Sequence, residues 1–318
     1  MFMQFFNKQT HIKFMSKRWF AIAFSSILLI VSIGSLVTQG LTFGIDFTGG
    51  TMIELGYQEP ANLDKIRSSL QNGGYPEAVV QNFGSIHDVL VRLPIVETEN
   101  MAEMSNNVVS LLQVDSGSPI DVRRVEFVGP QVGDDLTEQG GLAVLYALIG
   151  ILIYVAFRFE YRFAIASVAA LVHDVIITLG FFSITHVEFD LTVLAAVLAI
   201  IGYSLNDTIV VFDRVREGFL KIRKATSEEV IDTSLNETLS RTLMTSFTTL
   251  LVVFALFILG GEVIHSFAEA LLLGIMIGTY SSIYVASSAV LFMGVSKEDL
   301  LPPVKDSDQE IGEDGSQV

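Results

Sequence analysis

The sequence predicts an α-helical polytopic membrane protein with six transmembrane helices and one small α+β domain outside the membrane. Hydrophobic residues make up 51% of the 318 residues and the mean hydropathy is +0.54, too high for a soluble protein that must cover itself with polar surface. Six apolar runs are each long enough to cross about 30 Å of hydrocarbon at about 1.5 Å per residue. A long stretch of mixed polarity separates the first run from the second.

The first apolar run, Trp19 to Val37, follows several lysine and arginine residues. It is longer than the apolar core of a signal peptide, and the small-residue pattern of a cleavage site does not follow it. We therefore expect a retained anchor, with residues 1–37 forming a cytoplasmic N-terminus and transmembrane helix 1.

Residues 38–138 are predicted to form a water-exposed domain, because turn signals and short polar segments replace the long apolar runs. Segments that alternate in polarity indicate strands, and segments with apolar residues three and four apart indicate helices. In chain order these are strand Thr51–Leu55, helix Leu63–Leu70, strands Val79–Phe83 and Val89–Leu93, helix Asn100–Leu112 and strand Ile120–Val128. The order βαββαβ is that of the ferredoxin-like fold, which hosts many unrelated functions and identifies none.

Residues 139–294 are predicted to contain transmembrane helices 2–6. Their apolar runs are Leu142–Phe157, Phe163–Ile184, Leu191–Phe212, Thr242–Gly260 and Phe267–Met293. A cytoplasmic amphipathic segment, residues 213–240, joins the fourth and fifth runs, and its basic part Arg214–Lys224 is expected to lie as a helix on the anionic membrane surface. Thr226 and Glu229 are a candidate capping box for the next helix. Residues 295–318 form an acidic cytoplasmic tail that is predicted to be disordered.

Small residues recur every four positions in the sixth run, and such a stripe lets another helix approach closely. Its members are Ala270, Gly274, Gly278, Ser282 and Ala286. We interpret the stripe as a packing feature.

Charge and composition set the orientation and exclude several classes of function. Basic residues flank alternate ends of the apolar runs, so the positive-inside rule predicts that both termini are cytoplasmic. The net charge of −16 with 19 basic residues argues against a nucleic acid partner. The absence of cysteine excludes a disulfide, a thiol nucleophile and a zinc-thiolate site. We expect no cofactor, and no nucleophile and base placed together for covalent catalysis.

Ionisable residues inside apolar runs are the strongest chemical signal, since each costs about 2.5–3.5 kcal/mol or more at the bilayer centre unless it is paired or hydrated. His173 and Asp174 lie near the middle of the third run. Asp174 shares a helix face with Ser167 and Thr178, at spacings that place them on one side. The pair is either a proton relay or ion site facing the bundle interior, or a structural pair that bridges two helices.

Asn206 and Asp207 lie in the half of the fourth run that we place near the cytoplasm, and Arg241 opens the fifth run from the same side. The arginine side chain is long enough to reach a carboxylate on a neighbouring helix, or to extend to the membrane surface as an anchor. Thr245 and later residues keep the Arg241 face polar, which favours the first interpretation. Asp213 at the end of the run is interpreted mainly as a boundary residue.

Five motifs in one order resemble the SecF family, a subunit of the bacterial SecDF accessory complex and one half of a machine of the resistance-nodulation-division (RND) type. They are Phe43–Gly50 (FGIDFTGG), Val128–Gly133 (VGPQVG), Val172–Asp174 (VHD), Leu205–Arg214 (LNDTIVVFDR) and Asn236–Thr242 (NETLSRT). The resemblance covers most of the chain, but no motif covers the tail beyond Ser296.

The resemblance implies a multi-pass protein of the bacterial inner membrane with a periplasmic domain. It implies SecD as a partner, the SecYEG translocon, YajC and YidC as further partners, and an unfolded exported polypeptide. The coupling ion would be the proton, driven by the proton motive force. Asp207 and Arg241 match the proton-path residues of the family, while His173, Asp174, Asn206 and Asp213 are weaker candidates. The alternative is half of an RND-type small-molecule or lipid exporter, although such exporters usually carry twice as many spans in one chain.

Overall fold

The computed structural model describes residues 10–95, 101–222 and 224–295. Within them, six helices are long and apolar enough to cross a membrane, which confirms the predicted fold class. The helices are α1 (Arg18–Thr38), α2 (Ile45–Thr48), α3 (Leu63–Asn72), α4 (Met101–Ser116), α5 (Pro130–Arg158), α6 (Tyr161–Thr185), α7 (Leu191–Lys221), α8 (Ser227–Leu259), α9 (His265–Ser281) and α10 (Ser287–Phe292). The strands are β1 (Gly50–Gly56), β2 (Val79–Phe83), β3 (Ser85–Leu93) and β4 (Asp121–Val128). Asn100, Arg223 and the predicted tail from residue 296 lie outside the described residues.

The small domain is a four-stranded antiparallel sheet in the order β2-β3-β1-β4. Helices α3 and α4 cover one face of the sheet, where Ile53 and Val91 pack against Ile66 and Val108. Asn62 begins α3 by accepting hydrogen bonds from the next backbone N–H groups. The predicted order βαββαβ is therefore present, while the boundaries 38 and 138 stay predictions.

The segment after the fourth span differs from the expectation. Helix α7 continues unbroken to Lys221, so Arg214–Lys221 extends the membrane helix and is not a separate helix on the membrane surface. The physical reason is that the apolar side chains Val215 and Phe219 are buried in one cluster with Val230 of α8, which removes the face that lipid would cover. The capping box at the start of α8 is present as predicted.

Helices α6, α7 and α9 form the centre of the bundle. The predicted stripe of small residues on α9 contacts α7: a Cβ atom at Gly274 would overlap Ile200, and one at Gly278 would lie 3.0 Å from the Ser204 side chain. Helix α1 packs on α6 at Gly180. Helix α9 continues through a π-helical turn, Ser282–Ala286, into α10. Helices α5 and α8 are the least buried of the six spans.

Candidate functional site

Asp207 is a buried carboxylate on α7, about 24 Å along the helix from its first residue, Leu191. Its exposed fraction is 7%. The Oδ1 atom accepts a hydrogen bond of 2.7 Å from Thr242 Oγ1 on α8. The Oδ2 atom is buried and makes no hydrogen bond of ordinary geometry among the described residues, but the Ser282 hydroxyl lies close enough to the carboxylate to act on it. A buried carboxylate oxygen without an ordinary hydrogen bond is unusual in a folded protein.

Arg241 does not pair with Asp207, contrary to the expectation that its side chain reaches inward. It is exposed, and no ion pair joins the two residues within the described part of the chain. Its charge still acts on Asp207 through space.

The rotation of α8 explains this difference. Thr238, Thr242 and Ser246 are spaced by four and are buried, whereas Arg241 and Thr245 lie about 100° further round the helix and are exposed. Both faces carry hydroxyl residues at the same interval. The sequence alone therefore gave no reason to prefer the Thr242 face, and the charge of Arg241 favoured the other one.

A π-helical turn in the last span lies beside Asp207, and no pattern in the sequence indicates it. Thr208, the residue after Asp207, donates a hydrogen bond of 3.3 Å to Ser282 at the start of this turn. The hydroxyl of Ser287 donates to the carbonyl of Ser282, five residues earlier. Such turns often occur at functional sites because they disturb the regular helix. Ser282 had been interpreted only as a packing residue.

Asp174 has a different environment, because both of its carboxylate oxygens are bonded. Oδ1 lies 2.9 Å from His173 Nδ1, and Oδ2 accepts hydrogen bonds from Ser204 of α7 at 2.6 Å and Ser281 of α9 at 2.7 Å. The exposed fraction of Asp174 is 1%. His173 Nε2 lies 3.1 Å from Ser25 Oγ of α1. Four helices are joined through this pair, as the structural alternative predicts, and these bonds are equally compatible with a proton-binding pair.

The two remaining candidates lie on the surface of the chain. Asp213 forms an exposed ion pair of 3.0 Å with Arg158, which suits a boundary residue. Asn206 is exposed. No three His, Asp or Glu side chains converge as metal ligands in the part of the chain that the structure describes.

The end of α7 near the small domain is fixed by contacts from that domain and from the linker before it. Asp46 Oδ2 accepts a hydrogen bond of 3.0 Å from the N–H of Leu191, the first residue of α7. Arg92 of β3 forms an ion pair of 2.5 Å with Glu188 in the loop before α7. These contacts therefore link the position of α7 to that of the small domain.

Two family descriptions match this chain. Residues 108–296 match "Protein export membrane protein SecD/SecF, C-terminal", and residues 34–61 match the "SecD/SecF GG Motif". The chain is 53% identical over 300 residues to the protein translocase subunit SecF of Vibrio alginolyticus, covering 94% of this chain and 95% of that protein. It is 51% identical to the subunit of the same name from Pseudomonas aeruginosa, covering 92% and 94%.

Solved structures of SecDF are also similar. SecDF from Thermus, described as a translocon-associated membrane protein, matches with a TM-score of 0.81 and 39% identity. The match covers 89% of this chain but 39% of that one, so this chain spans about two fifths of the SecDF chain. SecDF in a super-membrane-facing form matches with a TM-score of 0.67. These relatives do not favour the exporter alternative.

Proposed function

The chain belongs to the SecF family of protein export membrane proteins, and we propose that it works in protein export as a proton-driven translocase subunit. Together with SecD, it would use the proton motive force in the late steps of export through SecYEG. YajC and YidC would be further partners, and the unfolded exported polypeptide would be the cargo. No covalent step is part of this proposal.

An exposed polar face on the bundle supports a SecD partner. On α7, Gly202 and Asn206 lie on one exposed side, and Arg241 is exposed on α8. Lipid covers such groups poorly, whereas a second bundle of helices can bind them. This chain covers 39% of the solved SecDF chains, and we infer that a separate SecD subunit corresponds to the remainder.

The half-satisfied carboxylate of Asp207 is the observation that carries the proton-driven mechanism. An ionised carboxylate only accepts hydrogen bonds, whereas a protonated one also donates. Protonation at Oδ2 would therefore require an acceptor in hydrogen-bond geometry, which Oδ2 lacks at present. Because packed helices tend to switch between discrete arrangements, the change would move α7 against α8 and the π-helical turn. The contact of Asp46 with the start of α7 would pass this movement to the periplasmic domain.

We place the chain in the bacterial inner membrane with both termini in the cytoplasm. Arg158, Arg162 and Lys221 lie at helix ends on the side of the bundle away from the small domain, and the positive-inside rule assigns that side to the cytoplasm. Asp207 would then take its proton from a path that begins on the periplasmic side and ends on the cytoplasmic side.

The substitution Asp207→Asn tests the mechanism. The amide keeps an oxygen for Thr242 but cannot titrate, so we expect normal folding and assembly and no stimulation of export by a proton gradient. The two measurements are the yield of the complex in membranes and the rate of export with and without the gradient. Asp213→Asn, which removes an exposed carboxylate one and a half turns away on the same helix, is the matched control. Normal gradient-stimulated export by Asp207→Asn would refute Asp207 as a required proton carrier.

A further inference from the structure

A chain of hydrogen bonds runs from Asp174 on α6 to the backbone of α1. Tyr280 OH lies 2.9 Å from the carbonyl oxygen of Ala21 and 3.0 Å from Ser25 Oγ. Ser25 Oγ lies 3.1 Å from His173 Nε2, and His173 Nδ1 lies 2.9 Å from Asp174 Oδ1. All four distances are those of ordinary hydrogen bonds.

The direction of each bond follows from the one member that cannot donate, the carbonyl of Ala21. A tyrosine hydroxyl carries one proton, so Tyr280 must use it for this carbonyl and must accept from Ser25. The single hydroxyl proton of Ser25 is then used as well. His173 Nε2 must therefore carry a proton and donate it to Ser25.

This direction fixes the proton count at the next bond. A neutral imidazole with its proton on Nε2 has a bare Nδ1, and a bare nitrogen facing an ionised carboxylate would place two acceptors 2.9 Å apart. Either Nδ1 or the Asp174 carboxyl must carry a further proton. We infer that His173 and Asp174 together hold one proton more than a neutral imidazole and an ionised carboxylate, and so form a proton-binding site distinct from Asp207.

No lysine, arginine or second carboxylate forms an ion pair or a hydrogen bond with the pair among the described residues. The other carboxylate oxygen accepts hydrogen bonds from the hydroxyls of Ser204 and Ser281, which can donate in either protonation state of the pair. The direction of the bonds through Ser25 is therefore what sets the proton count.

A cavity of about 230 Å³ borders this site. It lies between α1, α6 and the last span, and its lining includes Ser25, His173, Tyr280 and Tyr284 among mostly apolar side chains. Because apolar cavities stay dry, the proton count rests on the hydrogen bonds and not on this cavity. The site does not depend on the proposed role of Asp207, because it rests on the hydrogen bonds of a different group.

The test measures the protonation state of the pair directly, without an export assay. The full chain, labelled with ¹⁵N-histidine, is reconstituted in lipid bilayers and studied by solid-state NMR. His173→Gln identifies the His173 signal among the five histidines. Infrared spectroscopy reports the protonated carboxyl, which is assigned with Asp174→Asn.

We expect either an imidazole protonated on both nitrogens or one protonated on Nε2 beside a protonated carboxyl. An imidazole protonated on Nδ1 alone beside an ionised carboxylate would overturn the inference. In Tyr280→Phe, Ser25 is free to donate to Nε2, so the pair should lose its additional proton and show that Nδ1 form.

Tyr284→Phe is the matched control, because this tyrosine lines the same cavity but takes no part in the chain of bonds. We expect it to leave the protonation state unchanged. An unchanged state in Tyr280→Phe, or the same loss in both variants, would show that the direction of the bonds does not set the proton count and would refute the proposal.

Discussion

Removing the side chain of Asp174 should destabilise the bundle, because this carboxylate joins helices that are distant in sequence. Asp174→Ala removes three hydrogen bonds, to His173, Ser204 and Ser281. Only the bonds to Ser204 and Ser281 join different helices. Interhelical hydrogen bonds in membranes average about 0.6 kcal/mol and reach about 1.7 kcal/mol each, so the two give about 1–3 kcal/mol. Ser281 can still donate to the carbonyl of Gly278 at 3.1 Å, which favours the middle of this range.

The free energy of unfolding, measured by reversible denaturation in mixed micelles, checks this value. Asp174→Asn keeps an oxygen for the two serines, and its amide can donate to a bare Nδ1 of His173, so we expect a loss below about 1 kcal/mol. Asp213→Ala is the control, since the exposed ion pair with Arg158 contributes about 0–1 kcal/mol. If Asp174→Ala unfolds like Asp213→Ala, the carboxylate does not hold the helices together and our interpretation of this site is wrong.

Two further predictions concern α7 at Asp207 and the loop before its first residue. Thr242→Val removes the hydrogen bond to Asp207 and should lower gradient-stimulated export. Thr245→Val, on the exposed face of α8, should leave the rate unchanged. Equal export rates for the two variants would contradict the conclusion that the Thr242 face of α8 contacts Asp207. On the other side, burial raises the pKa of the Glu188 carboxyl above its ordinary 4.5, and Arg92 offsets this only in part. A raised pKa in the folded state means that the stability from this group is complete below the ordinary pKa and is lost as the pH rises through the raised one. Glu188→Gln should remove this dependence, as measured by hydrogen exchange of the loop before α7 between about pH 4 and pH 7; an unchanged slope would refute it.

The fold and the family can be recognised from local properties of the sequence. A membrane helix must be apolar over its whole length, because lipid offers no partner for polar groups, so the six spans are visible in the sequence itself. The capping box at Thr226 and Glu229 is a bond between residues three apart, and such a bond does not depend on the rest of the chain. Polar and apolar residues alternate along the strands of the small domain because successive side chains of a strand point to opposite faces of the sheet, which is also a local property.

The partners of the buried carboxylates were decided by tertiary structure alone. Asp207 binds Thr242 and not Arg241 because of how far α8 is rotated about its own axis, and packing against α7 and α9 sets that rotation. Residue types give little guidance, since both faces of α8 carry hydroxyl groups. The extension of α7 past Arg214 has the same origin, because its apolar side chains bury themselves against α8.

The protonation of His173 and Asp174 shows most clearly which properties the sequence determines and which depend on tertiary structure. The sequence placed a histidine and an aspartate together in a membrane helix and left a relay and a structural pair equally open. The outcome depends on Ser25, which lies 148 residues before His173 in the sequence, and on Tyr280, which lies 255 residues after Ser25 and is hydrogen-bonded to it. The sequence determined that charge would be buried in this bundle, because those residues lie within apolar runs. Which groups satisfy that charge was decided by helix packing, since hydrogen bonds act over about 3 Å and only the folded chain brings distant residues that close.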